Sequence, residues 1–362
     1  MKNPLAVLQE RKINFQFQSY SALDQFFRLK QADTLYLLIN GSLISLAKAF
    51  EKLEYPGIPF QDAALTNGSK RYIFQCCDND DPPPAFPFTV LGLLYSQDRE
   101  CFLDPGNVYH DLRRRELIPK PWRPAPLIFL AEAARLVSRY HYRCSIDMEK
   151  SDFSLKIPPA AASIAFQRDL LCSILTGSYP HKGLNLLFKS GFMEFFWPEL
   201  FKIDSVNHMK DYHPEGDGWD HTMQTFQYRK QNDLTLSLAL LLHDIGKAET
   251  SGPVEKPFDG HAELGAIIAS RLMSRLGFSP AIIGDVSFLV KYHMLPGALN
   301  KLPLFRTEKL MDSSLFPLLL ELYRADLSTT FQGPENYYQA CSIYQNYLRL
   351  KANPFRERHR YH

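Results

Sequence analysis

The sequence predicts an α+β protein in which a small α/β head is followed by helices over the rest of the chain. Two observations predict this class. Short runs with strand composition, separated by turn residues, fill the first third of the sequence. From Pro126 onward, apolar residues recur at spacings of three and four, the period of an amphipathic helix. We therefore predict a head at residues 1–125, a helical neck at 126–205, an all-α domain at 206–350 and a tail at 351–362.

Four runs in the head have the composition that is typical of strands. They are TLYLLIN at 34–40, SKRYIFQCC at 69–77, FTVLGLLYS at 88–96 and ECFLD at 100–104. A helix is predicted over SLISLAKAFEKL, and the proline-rich DNDDPPPAFP predicts a break between elements. The remaining residues are predicted to be helical, with loops that carry Pro and Gly, and the terminal RERHRYH is predicted to be a frayed basic tail.

The composition is that of an ordinary globular protein, with 45% hydrophobic and 22% charged residues. The net charge is only +2, so attraction to nucleic acid has to come from local basic patches. The six cysteines are scattered without a CxxC pair, which predicts reduced thiols. The sequence shows no signal-peptide core and no apolar run near the roughly 18 residues of a membrane span. A cytoplasmic location is predicted.

The stretch LALLLHDIGKAET, residues 238–250, carries polar groups at the end of an apolar helix. Leu236, Ala239, Leu240 and His243 share one helical face, so His243 is predicted to be buried. A buried imidazole followed by the Asp244 carboxylate needs partners, because unpaired polar burial costs several kcal/mol. A divalent cation satisfies both groups at once. Lys247 follows one turn later, where an ammonium can meet a phosphate.

Four further candidate ligands stand at the ends of helices or inside them. They are His221 in GDGWDHTMQTF, His261 in FDGHAELGA, His293 in FLVKYHMLPG and Asp326 in LLELYRADLSTT. Imidazole and carboxylate without thiolate suit Mn, Fe, Co, Ni, Zn or Mg. Such a site keeps positions open for water and lowers the pKa of that water.

Each residue also has a plainer interpretation. A single histidine on an apolar face is more often a hydrogen-bonded core residue, as His261 would be if considered alone. Asp326 can pair with Arg324, and Lys247 can be a solvated residue near a helix C-terminus. Together, however, these residues in helical contexts favour a metal site.

The ordered set His221, His243–Asp244 and Asp326 resembles the signature of the HD superfamily of metal-dependent phosphohydrolases. The resemblance implies that these four residues bind one or two divalent metal ions. It also implies that His261 and His293 hold a second ion or contact phosphate, and that Lys247 contacts the substrate phosphate. Asp244 and Lys247 are then the catalytic residues, with the histidines and Lys247 neutralising a developing oxyanion.

The order of blocks resembles the bacterial CCA-adding tRNA nucleotidyltransferases, which join a polymerase head, a helical neck and an HD domain. The similar blocks are GLNLLFKSGFMEFFWPEL followed by HPEGDGWDHTMQTF, and CFLDPGNVYHDLRRREL in the head. In that family the HD domain can remove 2′,3′-cyclic and 2′-phosphates. The resemblance implies a nucleotide or RNA 3′-end as the substrate, and tRNA as a partner.

The head departs from this family at four charged elements. The Gly-Gly turn before Val-Arg-Asp is reduced to Gly41–Ser42, and the Asp-x-Asp pair keeps Asp62 but has Ala64 at its second place. The Arg-Arg-Asp-Phe-Thr block reads AFPFT at 85–89, and the Asp-Pro-Leu-Arg block reads APLIFL at 125–130. Without two carboxylates for two Mg²⁺ ions, the head is predicted to lack transferase activity. Gly41, Ser42 and Asp62 remain as its nucleotide-binding candidates.

The sequence alone leaves alternatives open for the head and for the function. If the head is only divergent, Asp78, Asp80 and Asp81 are its metal ligands, although this cluster also suits a solvated loop. The basic DLRRRELIPKPWR at 111–123 either contacts an RNA backbone or is a plain solvated face. We predict a metal-dependent phosphohydrolase with an inactive head that binds RNA. The rivals are an active CCA-adding or polyadenylating transferase and a non-enzymatic RNA- or nucleotide-binding regulator.

Overall fold

The structure is a computed structural model that describes residues 2–56, 61–77, 86–120, 126–144, 162–205, 218–250, 260–330 and 332–352. The chain divides into two compact units. The first contains residues 1–133 and 142–146, and the second contains residues 134–141 and 147–362. The finer division into head, neck, all-α domain and tail stays a prediction.

A mixed sheet forms the centre of the first unit. Its strands, within the described residues, are β1 (Asn14–Gln18), β2 (Thr34–Asn40), β3 (Ala63–Asn67), β4 (Lys70–Cys77), β5 (Leu94–Ser96) and β6 (Cys101–Leu103). The spatial order is β3-β4-β2-β1-β5-β6. β2 and β4 are parallel, and the other neighbouring pairs are antiparallel.

Five described helices lie wholly or partly within the residues of this unit, and one face of the sheet carries the apolar core. The helices are α1 (Pro4–Glu10), α2 (Ser19–Phe26), α3 (Leu43–Ala49), α4 (Tyr109–Arg114) and α5 (Pro126–Tyr140). Alternate strand residues such as Phe17, Leu37, Ile39 and Phe74 are buried in one apolar cluster, as the period of two in a strand requires. The opposite face presents more polar side chains.

The prediction for the head was wrong at one segment and missed two strands. The run at 88–96 is a 3₁₀ turn at Thr89–Gly92 and becomes a strand only at β5. Short apolar runs do not separate turn from strand by composition alone, which explains this error. β1 and β3 were not predicted, because NFQFQ is rich in amides and AALTN is short and rich in alanine.

The described part of the second unit is helical. Its helices are α6 (Ile164–Leu175), α7 (Pro180–Lys189), α8 (Phe192–Phe196), α9 (Pro198–Phe201), α10 (Gly218–Thr225), α11 (Leu234–Leu242), α12 (His261–Arg275), α13 (Pro280–Tyr292), α14 (Leu295–Ala298), α15 (Leu304–Met311), α16 (Phe316–Leu327) and α17 (Glu335–Lys351). α11 packs against α10, α13 and α16, and α12 packs against α13. The ends of these helices position the candidate site.

The predicted α+β class is therefore confirmed, with a mixed sheet in one unit and helices in the other. No disulfide involves any of the six cysteines, all of which lie within the described residues. Within the described ranges, no helix combines the length and apolar character that crossing a membrane requires.

Candidate metal centre

α11 brings His243 and Asp244 into the interior. Its N-terminus is capped by Asp233, whose Oδ1 accepts a hydrogen bond of 2.8 Å from the backbone N–H of Leu236. Residues 236–242 are all buried, so the helix is packed on every side rather than on one stripe. His243 ends the helix fully buried, and the exposed fraction of Asp244 is only 3%. The predicted burial of His243 is confirmed.

Gly246 allows the end of this segment to lie directly against α12. A Cβ atom on Gly246 would stand 2.1 Å from the carbonyl oxygen of His261 and 2.6 Å from the backbone nitrogen of Gly265. No side chain fits at such distances without moving main chain. The glycine in HDIGK is therefore what lets the first turn of α12, and with it His261, approach Asp244.

The first group of donor atoms contains His221, His243, Asp326 and one oxygen of Asp244. The Nε2 atoms of His221 and His243 lie 3.3 Å apart. Oδ1 of Asp326 lies 3.1 Å from Nε2 of His221 and 3.7 Å from Nε2 of His243. Oδ2 of Asp244 lies 3.5 and 3.3 Å from the same two nitrogens. Residues from α10, the end of α11 and α16 thus converge on one point.

The second group contains His261, His293 and the other oxygen of Asp244. The Nε2 atoms of His261 and His293 lie 3.3 Å apart. Oδ1 of Asp244 lies 3.5 Å from the first of these nitrogens and 3.8 Å from the second. Asp244 therefore bridges two histidine pairs, with one carboxylate oxygen directed to each. His261, which could have been an ordinary core histidine, belongs to this group.

A contact at Nδ1, the ring nitrogen that does not face the cluster, orients the rings of three histidines. Nδ1 of His243 donates to the carbonyl of Leu240 at 2.9 Å, and Nδ1 of His293 donates to the carbonyl of Val290 at 2.7 Å. A carbonyl only accepts, so Nδ1 carries the hydrogen, and in the neutral form of each ring Nε2 faces the cluster with its lone pair. Nδ1 of His221 instead meets Oγ1 of Thr329 at 3.1 Å. Thr329 was missed from the sequence, where its only signal is a hydroxyl three residues after Asp326.

Burial and neighbouring charges set the protonation of the cluster. Burial lowers the pKa of His293 to about 4, helped by His243, so this ring is neutral at pH 7 and able to ligate. Burial raises the pKa of Asp244, but His243, Lys247 and His221 together hold it well below its ordinary value. The pKa of Asp326 is lowered as well, because His221 and His243 outweigh the effect of burial. Both carboxyls are ionised.

Lys247 is neither solvated nor directed away from the cluster. Its Nζ lies 2.7 Å from Oδ2 of Asp244, and its side chain is 11% exposed. Arg324, the alternative partner of Asp326, pairs with Glu321 at 2.6 Å instead. The side chain of Asp326 is 22% exposed and so marks the more open side of the cluster.

These donors fit a divalent ion. Two ligands about 2.1 Å from one ion, at tetrahedral to octahedral angles, lie about 3.0–3.4 Å apart, close to the separations in the first group. Oδ2 of Asp244 is buried, with Nζ of Lys247 at 2.7 Å and the Nε2 atoms of His243 and His221 at 3.3 and 3.5 Å. A buried carboxylate that faces imidazole nitrogens suits a cation. The cluster, built of imidazole and carboxylate, is able to hold a divalent metal ion.

The candidate nucleotide-binding residues of the head do not form a cluster like that of the histidines and aspartates in the second unit. Gly41 follows β2 with a φ of +154°, and Oγ of Ser42 caps α3 by accepting from the N–H of Ser45 at 3.3 Å. Oδ2 of Asp62 accepts from the backbone N–H of Cys76 at 2.7 Å. Ala64, at the place of the second carboxylate, is fully buried. Within the described head, these positions do not gather a set of metal ligands.

Two other predicted features of the head lie partly or wholly outside the described residues. Asp78, Asp80 and Asp81 lie entirely outside them, as do the last residues of the basic stretch 111–123. In the described part of that stretch, the guanidinium of Arg115 lies 4.5 Å from the ring centre of Phe27. Arg113 and Arg114 are exposed.

Comparison with known proteins agrees with this geometry. A family model of the HD domain matches residues 218–326, which contain every member of both donor groups. The chain is 32% identical to the multifunctional CCA protein of Halorhodospira halophila over 118 residues, 32% of this chain and 28% of that protein. It is 34% identical to the multifunctional CCA protein of Alkalilimnicola ehrlichii over 132 residues, 35% of this chain and 30% of that protein.

A longer match is the A-adding tRNA nucleotidyltransferase of Deinococcus radiodurans, 26% identical over 221 residues, 58% of this chain and 51% of that protein. The chain thus spans about half the length of this relative, and about 30% of the two CCA proteins. A crystal structure of a tRNA nucleotidyltransferase complexed with a primer tRNA and an incoming ATP analogue aligns with a TM-score of 0.50 and 14% identity, over 97% of this chain and all of that chain. This match shows a shared fold. The resemblance predicted from the sequence is confirmed: residues 218–326 match the HD domain, part of the chain is similar to CCA proteins, and its fold is that of a tRNA nucleotidyltransferase.

Proposed function

We propose that the protein is a metal-dependent phosphohydrolase whose reaction takes place at the donor cluster of the HD domain. One observation carries the proposal: four imidazole Nε2 atoms and two carboxylates form two groups that share Asp244, with donor atoms 3.1–3.8 Å apart within each group. Such a convergence of buried polar groups is costly unless a cation neutralises it. The match of this region to the HD domain supports the same proposal.

His221, His243, Asp244 and Asp326 hold the first ion in this proposal, and His261 and His293 share Asp244 to hold a second. When bound, a divalent ion lowers the pKa of water, so that water can attack phosphorus at neutral pH. The Lys247 ammonium, at the bridging carboxylate, places positive charge where the oxyanion develops. Substrate enters from the side of Asp326, where the cluster is most exposed.

The proposed substrates are nucleotides or RNA-terminal phosphates, and tRNA is the proposed partner. Support comes from the relatives, which are described as CCA proteins and an A-adding tRNA nucleotidyltransferase. It also comes from the complex of the structural neighbour with a primer tRNA. A 2′,3′-cyclic phosphate is the first substrate to test, because hydrolysis there opens a ring at an RNA end.

The decisive experiment combines elemental analysis with turnover. The purified protein is assayed for bound Mn, Fe, Co, Ni, Zn and Mg, and for hydrolysis of 2′,3′-cyclic AMP, 2′-AMP and tRNA ending in a 2′,3′-cyclic phosphate. Hydrolysis that stops after chelation and returns with metal supports the proposal. Bound metal without turnover on any of these substrates contradicts it and favours a non-enzymatic regulator with a structural metal.

We further propose that the head is an inactive scaffold that binds RNA or a nucleotide. The carboxylate of Asp62 is committed to the N–H of Cys76, and Ala64 supplies no second carboxylate. A cavity of about 410 Å³ nevertheless lies on the polar face of the sheet, lined in part by Asn14, Gln16, Asn40 and Arg99. Carboxamides and a guanidinium can hydrogen-bond bases or phosphate without a metal ion.

The head proposal is tested with tRNA that lacks its 3′ end, labelled CTP and labelled ATP. We expect tRNA binding without incorporation of either nucleotide. Incorporation that requires Asp62 contradicts an inactive head and supports the rival, a CCA-adding or polyadenylating transferase. An absence of tRNA binding at low salt contradicts the RNA-binding part, since contacts to phosphates strengthen as salt falls.

A further inference from the structure

Among the ring contacts in the cluster, that of His221 differs in kind from those of His243 and His293. Those two rings donate Nδ1–H to main-chain carbonyls, which can only accept, so their tautomer is fixed by the backbone. The partner of His221 is the hydroxyl of Thr329, 108 residues later in the chain, which can donate or accept. The tautomer of His221 is therefore decided by where the hydroxyl proton of Thr329 goes.

A second contact decides the direction. Oγ1 of Thr329 donates to the carbonyl oxygen of Asp326 at 2.7 Å, which is shorter than its 3.1 Å contact with Nδ1 of His221. A hydroxyl has one proton, and the carbonyl cannot give one back. Because the hydroxyl proton is used in that bond, Oγ1 can only accept from the ring. Nδ1 of His221 therefore carries a hydrogen, and in the neutral ring Nε2 carries the lone pair.

We propose that Thr329 is a positioning residue that holds His221 in the Nδ1–H tautomer, with Nε2 open to a metal ion. The opposite tautomer is a real competitor, because an Nε2–H could donate to Oδ1 of Asp326, 3.1 Å away. That bond would occupy both the ring and the carboxylate that the first group needs. Thr329 and Asp326 come from the same stretch of chain, so one turn supplies a ligand and the group that orients its neighbour. The inference rests on the proposed metal site.

Three variants separate the hydroxyl from the shape of the side chain. Thr329→Val keeps the shape and removes the hydroxyl, and Thr329→Ser keeps the hydroxyl and removes the methyl group. Thr330→Val is the matched control, because Oγ1 of Thr330 makes the equivalent bond to the carbonyl of Leu327 at 2.9 Å one residue later. Oγ1 of Thr330 also accepts from the backbone N–H of Gln332 at 3.2 Å, so both of these bonds are to the main chain and neither is to a ring of the cluster.

Two measurements are made on full-length protein. The first is the tautomer of His221 in chelated protein, from the ¹⁵N and ¹H shifts of labelled histidine, assigned with His221→Gln. The second is the Kd for Mn²⁺ alone, from free Mn²⁺ counted by electron paramagnetic resonance. We expect Nδ1–H in the wild type, in Thr329→Ser and in Thr330→Val. We expect Thr329→Val to lose that tautomer and to bind Mn²⁺ about 10- to 100-fold more weakly.

Several outcomes overturn the inference. An Nε2–H tautomer in the wild type does so without any variant, which matters if Thr329→Val fails to fold. If Thr329→Val and Thr329→Ser lose the same Mn²⁺ affinity, the hydroxyl does not orient His221. The same conclusion follows if Thr329→Val keeps the wild-type tautomer and Kd. If Thr330→Val weakens Mn²⁺ binding as much as Thr329→Val does, the effect comes from disturbing the end of the helix and not from the contact with His221. A wild-type protein that binds no Mn²⁺ overturns the proposed metal site itself, a result that the other outcomes do not produce.

Discussion

The donor cluster of the HD domain and the Asp62 region of the head were predicted to differ, with a full set of metal ligands in the first and only one of two metal carboxylates in the second. In the cluster, both oxygens of Asp244 face imidazole nitrogens at 3.3–3.8 Å. In the head, the single carboxylate of Asp62 accepts a backbone N–H, and the place of its partner is a buried alanine. The difference teaches that one carboxylate does not make a donor cluster by itself. Asp244 has imidazole nitrogens near both of its oxygens, whereas no group of metal ligands gathers around Asp62 among the described residues.

The substitution with the largest expected effect is Asp244→Ala, because it removes the group shared by both histidine pairs. We expect bound metal to fall to background, and phosphoester turnover to fall about 10³-fold or more, since several kcal/mol of charge stabilisation are lost. Elemental analysis and initial rates measure the two effects. Asp285→Ala, on α13 and outside the cluster, is the control. Metal retained by Asp244→Ala would remove the contrast between the two regions.

The second prediction concerns how the cluster is held together. Gly246→Ala should lower the free energy of unfolding by about 3 kcal/mol, because its Cβ meets main-chain atoms of α12. Urea unfolding measures this, and a metal titration should show weaker binding at His261 and His293. Gly284→Ala on α13 is the matched control. Its Cβ meets nothing within 4 Å, so we expect a gain of up to about 1 kcal/mol from helix propensity. Equal behaviour of the two variants would contradict a close approach at Gly246.

The third prediction is a pH dependence of the metal-free protein. The pKa of His293 is lowered from 6.5 to about 4 in the folded state. Between these values the unfolded chain binds a proton that the folded chain does not, so stability is present above pH 6.5 and is lost as pH falls towards 4. The loss from His293 is at most about 3 kcal/mol, and His293→Gln should remove it.

Unfolding in urea at pH 7.5 and pH 5, with a chelator present, measures the pH effect. His181, whose pKa burial and nearby cations also lower to about 4, contributes in the same direction from outside the cluster. His181→Gln should therefore reduce the slope without changing metal content. Asp244 and Asp326 change the stability only as the pH falls below 3.8, the ordinary pKa of an aspartate, because their pKa values are lowered in the folded state. Stability that does not change between the two pH values would show that His293 is not buried in its neutral form.

The smallest expected effect is in the head. Asp62→Ala should cost about 1 kcal/mol, since it removes one hydrogen bond to the backbone of β4. Metal content and phosphoester turnover should be unchanged. Thermal unfolding and elemental analysis give the two results. A drop in bound metal after Asp62→Ala would show that the head holds an ion of its own, and the comparison above would then be wrong.

The resemblance to the HD superfamily implied the members of the cluster and a second ion at His261 and His293, but not that Asp244 faces both histidine pairs. The apolar face that ends at His243, and the order of histidines and aspartates after it, are visible in the chain because helical period and motif are local properties. Which oxygen of Asp244 faces which histidine pair depends on the approach of α12 at Gly246, and that is a contact between segments. Thr329 was missed for the same reason, because its role depends on His221, 108 residues away.

Prediction of the strands from composition has a similar limit. β2 and β4 were predicted within a residue, because each is a continuous run of strand-forming residues. β1 was missed because the amides of NFQFQ lie on the polar face of the sheet, where composition carries no strand signal. The 3₁₀ turn at Thr89–Gly92 was wrongly predicted as strand, because an apolar run shows burial but not backbone conformation.

The bridging position of Asp244 has a mechanical consequence. One torsion angle, χ2 of a single side chain, sets the direction of both carboxylate oxygens. A rotation that improves the alignment of Oδ2 with His221 and His243 must also turn Oδ1 relative to His261 and His293. The two histidine pairs therefore cannot be tuned independently, because any turn of this carboxylate towards one pair changes its alignment with the other.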